Sequence, residues 1–314
     1  MSTPTRQHGP DLFWPIVLIG AGVILLLANL GVITGNPWPI ILNLWPVILI
    51  VIGLDILFGR RSLLGGLVGA LLGVALIGGI IALLIAQPNL PALGFNFGST
   101  PLQTRQVQAP VSGIERADVT IDFGSGTNRL YALGDSDRLI DGVIDYYGDL
   151  SFNTSAANGR ASVQIDSRLG GLFFGMLTGG ERWTIGLNTR PTYNINLDFG
   201  SGSNDIDLSR LTLSGGTLNV GSGGADVRLP AGTYRLTVES GSGGVNLRVP
   251  RSAGVRVEYQ RGSGGINPGA RLQLVSGDRN RDGTYETADF RSAASQITLV
   301  IDGGSGGVNL IDGE

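Results

Sequence analysis

The tripeptide Gly-Ser-Gly occurs six times in the last two thirds of the chain, starting at Gly124, Gly200, Gly221, Gly241, Gly262 and Gly304. The last five starts are 21, 20, 21 and 42 residues apart, so a unit of about 20 residues is being stacked. Between the tripeptides the apolar residues alternate: Leu218 and Val220, Val227 and Leu229, then Tyr234, Leu236 and Val238, then Val245, Leu247 and Val249, then Val255, Val257 and Tyr259. That period of two places one apolar face on each strand. Asn219, Asp226, Arg228, Arg235, Thr237, Glu239, Asn246, Arg248, Arg256 and Glu258 point the other way, toward solvent. One unit is therefore a strand, a Gly-Ser-Gly corner, a second strand and a looser turn such as Pro230-Ala231-Gly232. A single unit cannot bury its apolar face. Stacking successive units so that Val227 and Leu247 superpose makes a narrow continuous core. Glycine suits the corner on two counts, since it reaches positive φ and lets chain approach chain.

Composition excludes several classes of function. A net charge of −3, with 22 basic residues all arginine and in no visible stripe, gives no nucleic-acid footprint. There is no cysteine, hence no disulfide framework or thiol chemistry. The one histidine, His8, removes most acid–base and metal constellations. Phosphate cradling by the glycines needs a following helix, and every corner leads into a strand. Gly303-Gly304-Ser305-Gly306-Gly307 fits a nucleophile-elbow pattern but lacks both that helix and a nearby histidine.

Before Pro88 the composition is a different regime. Residues 1–11 precede Leu12–Ile33, an apolar stretch interrupted only by Asn29 and long enough to cross a hydrocarbon core of roughly 30 Å. Trp38–Phe58 and Leu63–Ala86 repeat the pattern, which predicts three membrane-spanning helices. No small-residue cleavage site follows the first, so it reads as a retained span rather than a signal peptide. Arg6 precedes span one, Arg60 and Arg61 lie between spans two and three, and the loop Thr34–Pro37 has no arginine. Positive flanks inside put the amino terminus in the cytoplasm and everything after Ala86 outside. Gly65, Gly69 and Gly73 form a small-residue stripe that serves either self-association or packing among the spans. Asp55 lies near Arg60, and snorkelling to that flank accounts for it.

Phe13-Trp14-Pro15-Ile16-Val17-Leu18-Ile19-Gly20 and Leu44-Trp45-Pro46-Val47-Ile48-Leu49-Ile50 each open an aliphatic run on Trp-Pro. This region, about residues 12 to 60, resembles the LiaI/LiaF-type transmembrane region. The runs Gly221-Ser222-Gly223-Gly224-Ala225-Asp226-Val227-Arg228-Leu229-Pro230 and Gly241-Ser242-Gly243-Gly244-Val245-Asn246-Leu247-Arg248-Val249-Pro250 resemble the β-repeat domains, of toast-rack type, in LiaF-like and adhesin-like bacterial surface proteins. The resemblance implies a multi-pass bacterial cytoplasmic-membrane protein tied to envelope stress, with the lipid bilayer and a membrane sensor kinase as partners. The fold class expected is three N-terminal transmembrane helices, a linker over 87–110, and an all-β, solenoid-like repeat domain over 111–314. An anchored adhesin-like surface module is the alternative, and an extracytoplasmic hydrolase ranks last because the acidic residues are scattered.

The repeat breaks twice. Between Gly124 and Gly200, strands are expected at Leu139–Tyr146, Leu150–Asn153, Ala161–Ile165, Arg182–Leu187 and Tyr193–Asp198. Within that interval, Leu169-Gly170-Gly171-Leu172-Phe173-Phe174-Gly175-Met176-Leu177 either meets the membrane or caps the open end of the stack. In the 42-residue interval, Asp278, Asn280, Asp282 and Thr284, with Gly283 and then Asp289, fit the spacing of a calcium loop. The helices that normally flank such a loop are replaced by strands, and an Asx-rich hairpin turn accounts for the same residues without metal.

Overall fold

The computed structural model describes residues 102–168, 181–278 and 282–313 continuously, with isolated helical positions between 19 and 82 and two short strands over 89–90 and 95–96. The chain divides into two compact units, one made of 101–170 and 178–314, the other of the remaining residues.

In the second of these, Ile19, Gly22, Val23 and Leu26 are helical within the first expected span, and Leu71, Val74, Ala75, Ile77, Gly78, Gly79 and Ala82 within the third. Ile19 and Leu71 are each 67% exposed, an apolar helix surface open to its surroundings. Among the described residues no helix is long and apolar enough to cross a membrane. The second span with Asp55, the arginine flanks, the glycine stripe and the apolar loop 169–177 lie outside the described residues. Strand β1 (Asn89–Leu90) pairs antiparallel with β2 (Phe95–Asn96) inside the stretch expected as linker.

The larger unit is built of rungs, its strands numbered in chain order. Six rungs are a strand, a Gly-Ser-Gly corner and a second strand: β4 (Arg116–Phe123) with β5 (Thr127–Ala132), β10 (Thr192–Phe199) with β11 (Ser203–Asp207), and β12 (Thr212–Val220) with β13 (Gly224–Arg228). The other three are β14 (Tyr234–Ser240) with β15 (Val245–Val249), β16 (Gly254–Gln260) with β17 (Ile266–Asn267), and β20 (Gln296–Asp302) with β21 (Val308–Asp312). A seventh, β8 (Arg160–Arg168) with β9 (Arg182–Leu187), has residues 169–181 where the tripeptide would stand. The first strands of the rungs form a parallel array inside a ten-stranded sheet, and the second strands do so inside a nine-stranded sheet.

Side chains superpose from rung to rung. Ile165, Ile121, Leu197, Leu218, Val238, Ile301 and Tyr259 form one inner row. Ile185, Leu130, Ile206, Val227, Leu247 and Leu310 form another in the second sheet. Every one of them is buried. Each such aliphatic side chain removed from water contributes about 1.5–3 kcal/mol, so the rows are the main source of cohesion. The superposition of Val227 on Leu247 is as the alternation predicts.

The stacking order departs from chain order. From one end the rungs run β8/β9, β4/β5, β10/β11, β12/β13, β14/β15, β20/β21, β16/β17. The last rung in sequence thus inserts between two earlier ones, because the excursion that follows β17 returns the chain beside β14. That excursion is the hairpin β18 (Leu272–Gly277) and β19 (Gly283–Thr287), which extends the ten-stranded sheet beyond β16. At the opposite end β7 (Asp149–Ala157) continues the same sheet beyond β8, and β6 (Arg138–Tyr146) and β3 (Gln103–Pro110) continue the other beyond β9.

β3 corrects the linker boundary. Residues 103–110 are a strand paired antiparallel with β6, with Val107 and Ala109 buried. Its proline is tolerated because Pro110 is the last residue of an edge strand, beside a register shift.

The reason for the corner glycines is also narrower than expected. Positive φ falls at other glycines, such as Gly113 at 70° and Gly277 at 89°, and at no Gly-Ser-Gly corner. Close approach is what requires them: a Cβ on Gly243 would run into the carbonyl of Gly223, and one on Gly306 into that of Gly243. Proximity serves hydrogen bonding between rungs. Ser242 N and Gly243 N both donate to Gly221 O at 3.0 Å, and Ser305 N and Gly306 N donate to Gly241 O at 2.8 and 3.0 Å.

Candidate functional site

The corner ladder needs a neighbour on each side, and at the β4/β5 rung one neighbour lacks the tripeptide. There Ser125 N has no adjoining glycine carbonyl, and it donates instead to Glu181 Oε2 at 3.0 Å. Tyr147 N donates to the other oxygen, Oε1, at 3.3 Å. The Glu181 backbone carbonyl accepts from Thr127 N at 3.0 Å, as Gly126 O does from Ser203 N one rung further on. Glu181, 3% exposed, therefore supplies by side chain and backbone the oxygens that a further corner would supply.

Behind this cap the inner row changes character. Trp183, Asn128 and Asn204 occupy register positions that become Ala225, Val245 and Val308 further along. Asn128 Nδ2 donates to Gly124 O at 3.0 Å and Asn204 Oδ1 at 2.8 Å, and Asn204 Nδ2 donates to Gly224 O at 2.9 Å. Phe123 lies between Trp183 and Phe199, at ring-centre distances of 5.6 and 5.4 Å. At the opposite turn Asn188 holds the chain by donating to Ser136 O and Arg138 O at 2.9 and 2.7 Å, and Tyr193 OH donates to Asn188 O at 2.8 Å. Burial pushes the Tyr193 phenol well above its ordinary pKa.

Outside the cap lies an open depression of about 710 Å³ lined by Ser125, Ser201, Ser222, Glu181 and Arg182 among others. Its lining is hydroxyls, backbone, one carboxylate residue and one guanidinium. The lining hydroxyls are hydrogen-bonding groups, and the only histidine of the chain, His8, lies outside the described residues.

A row of acidic residues runs beside the corners on the ten-stranded sheet. Asp122, Asp198, Asn219, Glu239 and Asp302 are consecutive register partners. Partial burial raises the Asp122 pKa, reinforced by the charges of Asp198 and then Asp166. On the nine-stranded sheet the charges alternate in sign instead: Arg228 meets Asp205 at 2.8 Å and Arg248 meets Asp226 at 2.9 Å. The hydrogen bond from Arg248 holds the Asp226 carboxyl below the usual range.

The calcium-loop residues fall on the β18–β19 hairpin. Asp278 N donates to Asp282 O at 2.9 Å to close the turn, and Asp282 Oδ1 accepts from Arg261 N at 2.9 Å. Thr284 lies on β19 opposite Glu258 and Ser276. Asp289 sits past the far end of that strand, where its carbonyl accepts from Ser292 N and Ala293 N. Five strand residues, about 17 Å, separate it from the turn, so the structure groups Asp278 with Asp282 and does not bring Asp289 to them. Asn280 lies outside the described residues, and among these no group of three or more histidine or acidic side chains is placed to hold a metal. Calcium at this turn stays a proposal of the spacing alone.

Sequence reasoning did not single out Glu181. The only signal was its position, directly before an expected strand in the interval where the spacing breaks.

Comparison with known proteins fits this geometry. Residues 98–248 match the family described as the N-terminal domain of toast_rack, DUF2154, and residues 12–57 match the LiaI-LiaF-like transmembrane region. The chain is thus similar to a LiaF-like transmembrane region over residues 12–57 and to a toast-rack domain over residues 98–248. Among solved structures, a candidate cell adhesion protein from Clostridium sporogenes shares the fold at a TM-score of 0.58 and 20% identity, over 67% of this chain and 99% of its own. A candidate adhesin from Bacteroides fragilis aligns over 68% of this chain and 98% of its own at 13% identity, with a TM-score of 0.27 too low to inform the fold. No curated protein matches the chain.

Proposed function

We propose that this protein is a sensor or regulator of envelope stress, whose outward repeat domain detects or scaffolds and whose helices pass its state to a membrane partner such as a sensor kinase. The coarser description, a membrane-anchored envelope protein of non-enzymatic families, follows from the matches already given. One observation carries the finer one: a LiaI-LiaF-like transmembrane region and a toast-rack domain stand in a single chain. The orientation behind it, amino terminus inside and repeat domain outside over three spans, rests on the arginine distribution. The geometry fits a display surface, since the solvent faces carry polar ladders and the depression is lined by hydroxyls.

The test is in vivo crosslinking in intact membranes, together with transcription of envelope-stress genes in a deletion strain. Recovery of a signalling component and altered transcription support the regulator. Unchanged transcription with altered surface attachment favours a second reading, an anchored adhesin-like module, which the fold shared with the candidate adhesion protein recommends.

A further inference from the structure

The two sheets end in four edge strands, and three carry devices that discourage further pairing. β3 contains Arg105 and ends on Pro110 at a register shift. β17 is two residues long. β18 is interrupted by a bulge between Leu274 and Ser276. β7 has none of these. Its nine residues pair with β8 without a break from Asp149↔Arg168 to Ala157↔Arg160, and after Asp149 the strand holds no charge and no proline. Among the described residues β8 is its only strand partner; Leu150 O near its start also accepts from Arg105 Nη1 at 2.9 Å, and the outward backbone groups from Phe152 onward are the ones available to another strand.

The order of side-chain sizes on β7 indicates which strand that is. Leu150, Phe152, Thr154 and Ala156 share the face of the buried Val163 and Ile165, and only the first two are covered: Leu150 is buried, Phe152 half-buried, Thr154 and Ala156 exposed. Large residues thus occupy the first half of the strand and small ones the second. In an antiparallel pair of two β7 strands centred on Asn153, Leu150 stands opposite Ala156 and Phe152 opposite Thr154, large on small in both directions. Ser151 then stands opposite Ser155, and Asp149 opposite Ala157, with no like charges facing. A two-fold axis through Asn153 keeps both inner faces on one side, whereas a one-residue slip would turn them over.

We propose that β7 is a self-association edge at which a second copy of this chain adds antiparallel about Asn153, joining two ten-stranded sheets into one closed dimer. Closure follows from the two-fold, which uses the same edge on both copies and leaves no further β7 free. Anchoring in a membrane raises the local concentration at which the edges meet. The inference stands apart from the sensor reading, because it rests on the strand alone.

The cysteine-free chain makes the test direct. In full-length protein in native membranes, Asn153→Cys should oxidise to a disulfide-linked dimer, since residues paired across an antiparallel ladder lie about 4.5–5.5 Å apart at Cα. Ser155→Cys alone should not, its symmetry mate lying four residues along, about 14 Å away. Ser151→Cys mixed with Ser155→Cys should crosslink again. In detergent, the wild type should show twice the chain mass of 32.8 kDa, and Asn153→Lys, a charge on the edge, the single mass. A wild type at single mass, an Asn153→Cys that stays uncrosslinked, or an Asn153→Lys that keeps the double mass would each overturn the proposal. An edge covered by another part of the chain would give the uncrosslinked result.

Discussion

The middle of the corner ladder and its first end solve the same problem with different chemistry. In the middle, the amides of one Gly-Ser-Gly corner are satisfied by the first glycine carbonyl of the next, as Ser242 and Gly243 are by Gly221. No side chain takes part, so the solution repeats indefinitely at no demand on sequence beyond glycine. At the end, where the next rung has no tripeptide, one buried glutamate and a pair of asparagines take over. A repeat satisfies itself only while another repeat follows, so residues of unique identity collect where it stops.

Breaking the middle should have the largest effect. Gly243→Ala puts a Cβ against the Gly223 carbonyl and is expected to destabilise by about 3 kcal/mol, whereas Gly265→Ala, which meets nothing within 4 Å, should change stability by less than about 0.5 kcal/mol. Thermal unfolding of the two variants, followed by the strand signal in circular dichroism, compares them directly. Equal midpoints would show that close approach is not what fixes the corners.

Breaking the end comes next. Glu181→Ala leaves Ser125 N and Tyr147 N without their acceptor and should cost about 2 kcal/mol. Hydrogen exchange at those two amides should accelerate while that of Gly243 does not. Uniform acceleration along the ladder would mean that end and middle are one cooperative unit.

The flanking charges sharpen the contrast through pH. Asp226 has a folded pKa below its unfolded value, so its stabilisation is complete above the ordinary carboxylate range and is lost as pH falls through the folded value. Its pair is partly exposed, so Asp226→Asn should cost less than about 1 kcal/mol at neutral pH. Asp122 is shifted the other way: its charge works against folding at neutral pH, and stability is regained as pH falls through its raised pKa. Asp122→Asn should therefore raise the unfolding midpoint at neutral pH, by an amount that vanishes in acid. A fall at neutral pH would refute burial, reinforced by the like charges, as the cause of its shift. The smallest effect expected is that of Asp282→Ala, which removes the acceptor of Arg261 N and should loosen the β18–β19 turn alone, read as faster exchange at the Arg261 amide.

What was legible in the sequence follows the same division. Alternation at Val227 and Leu247 placed the inner rows, because period two and burial on one face leave little freedom once rungs stack. The strand Arg182–Leu187 was placed to the residue, and the family matches bear out the resemblance read from the Trp-Pro pairs and the glycine runs. The order of the rungs was hidden, since adjacent chain segments are the natural guess for adjacent strands, and nothing in Gln296–Asp302 says that it pairs with both β14 and β16. β3 was hidden by its proline, a residue that argues against a strand everywhere except at an edge. Glu181 was hidden because its role depends on a missing neighbour, and an absence in space leaves no pattern in sequence.

The insertion of β20/β21 between β14/β15 and β16/β17 also sets a timetable. While the chain is still being made, β16 has no parallel neighbour in the stack, because the strand that joins it to β14 emerges after it. The stack can grow to its fifth rung rung by rung, and must then wait. A chain halted before Gln296 would leave two unfinished surfaces in place of one, so the domain certifies its own completion by the act of closing.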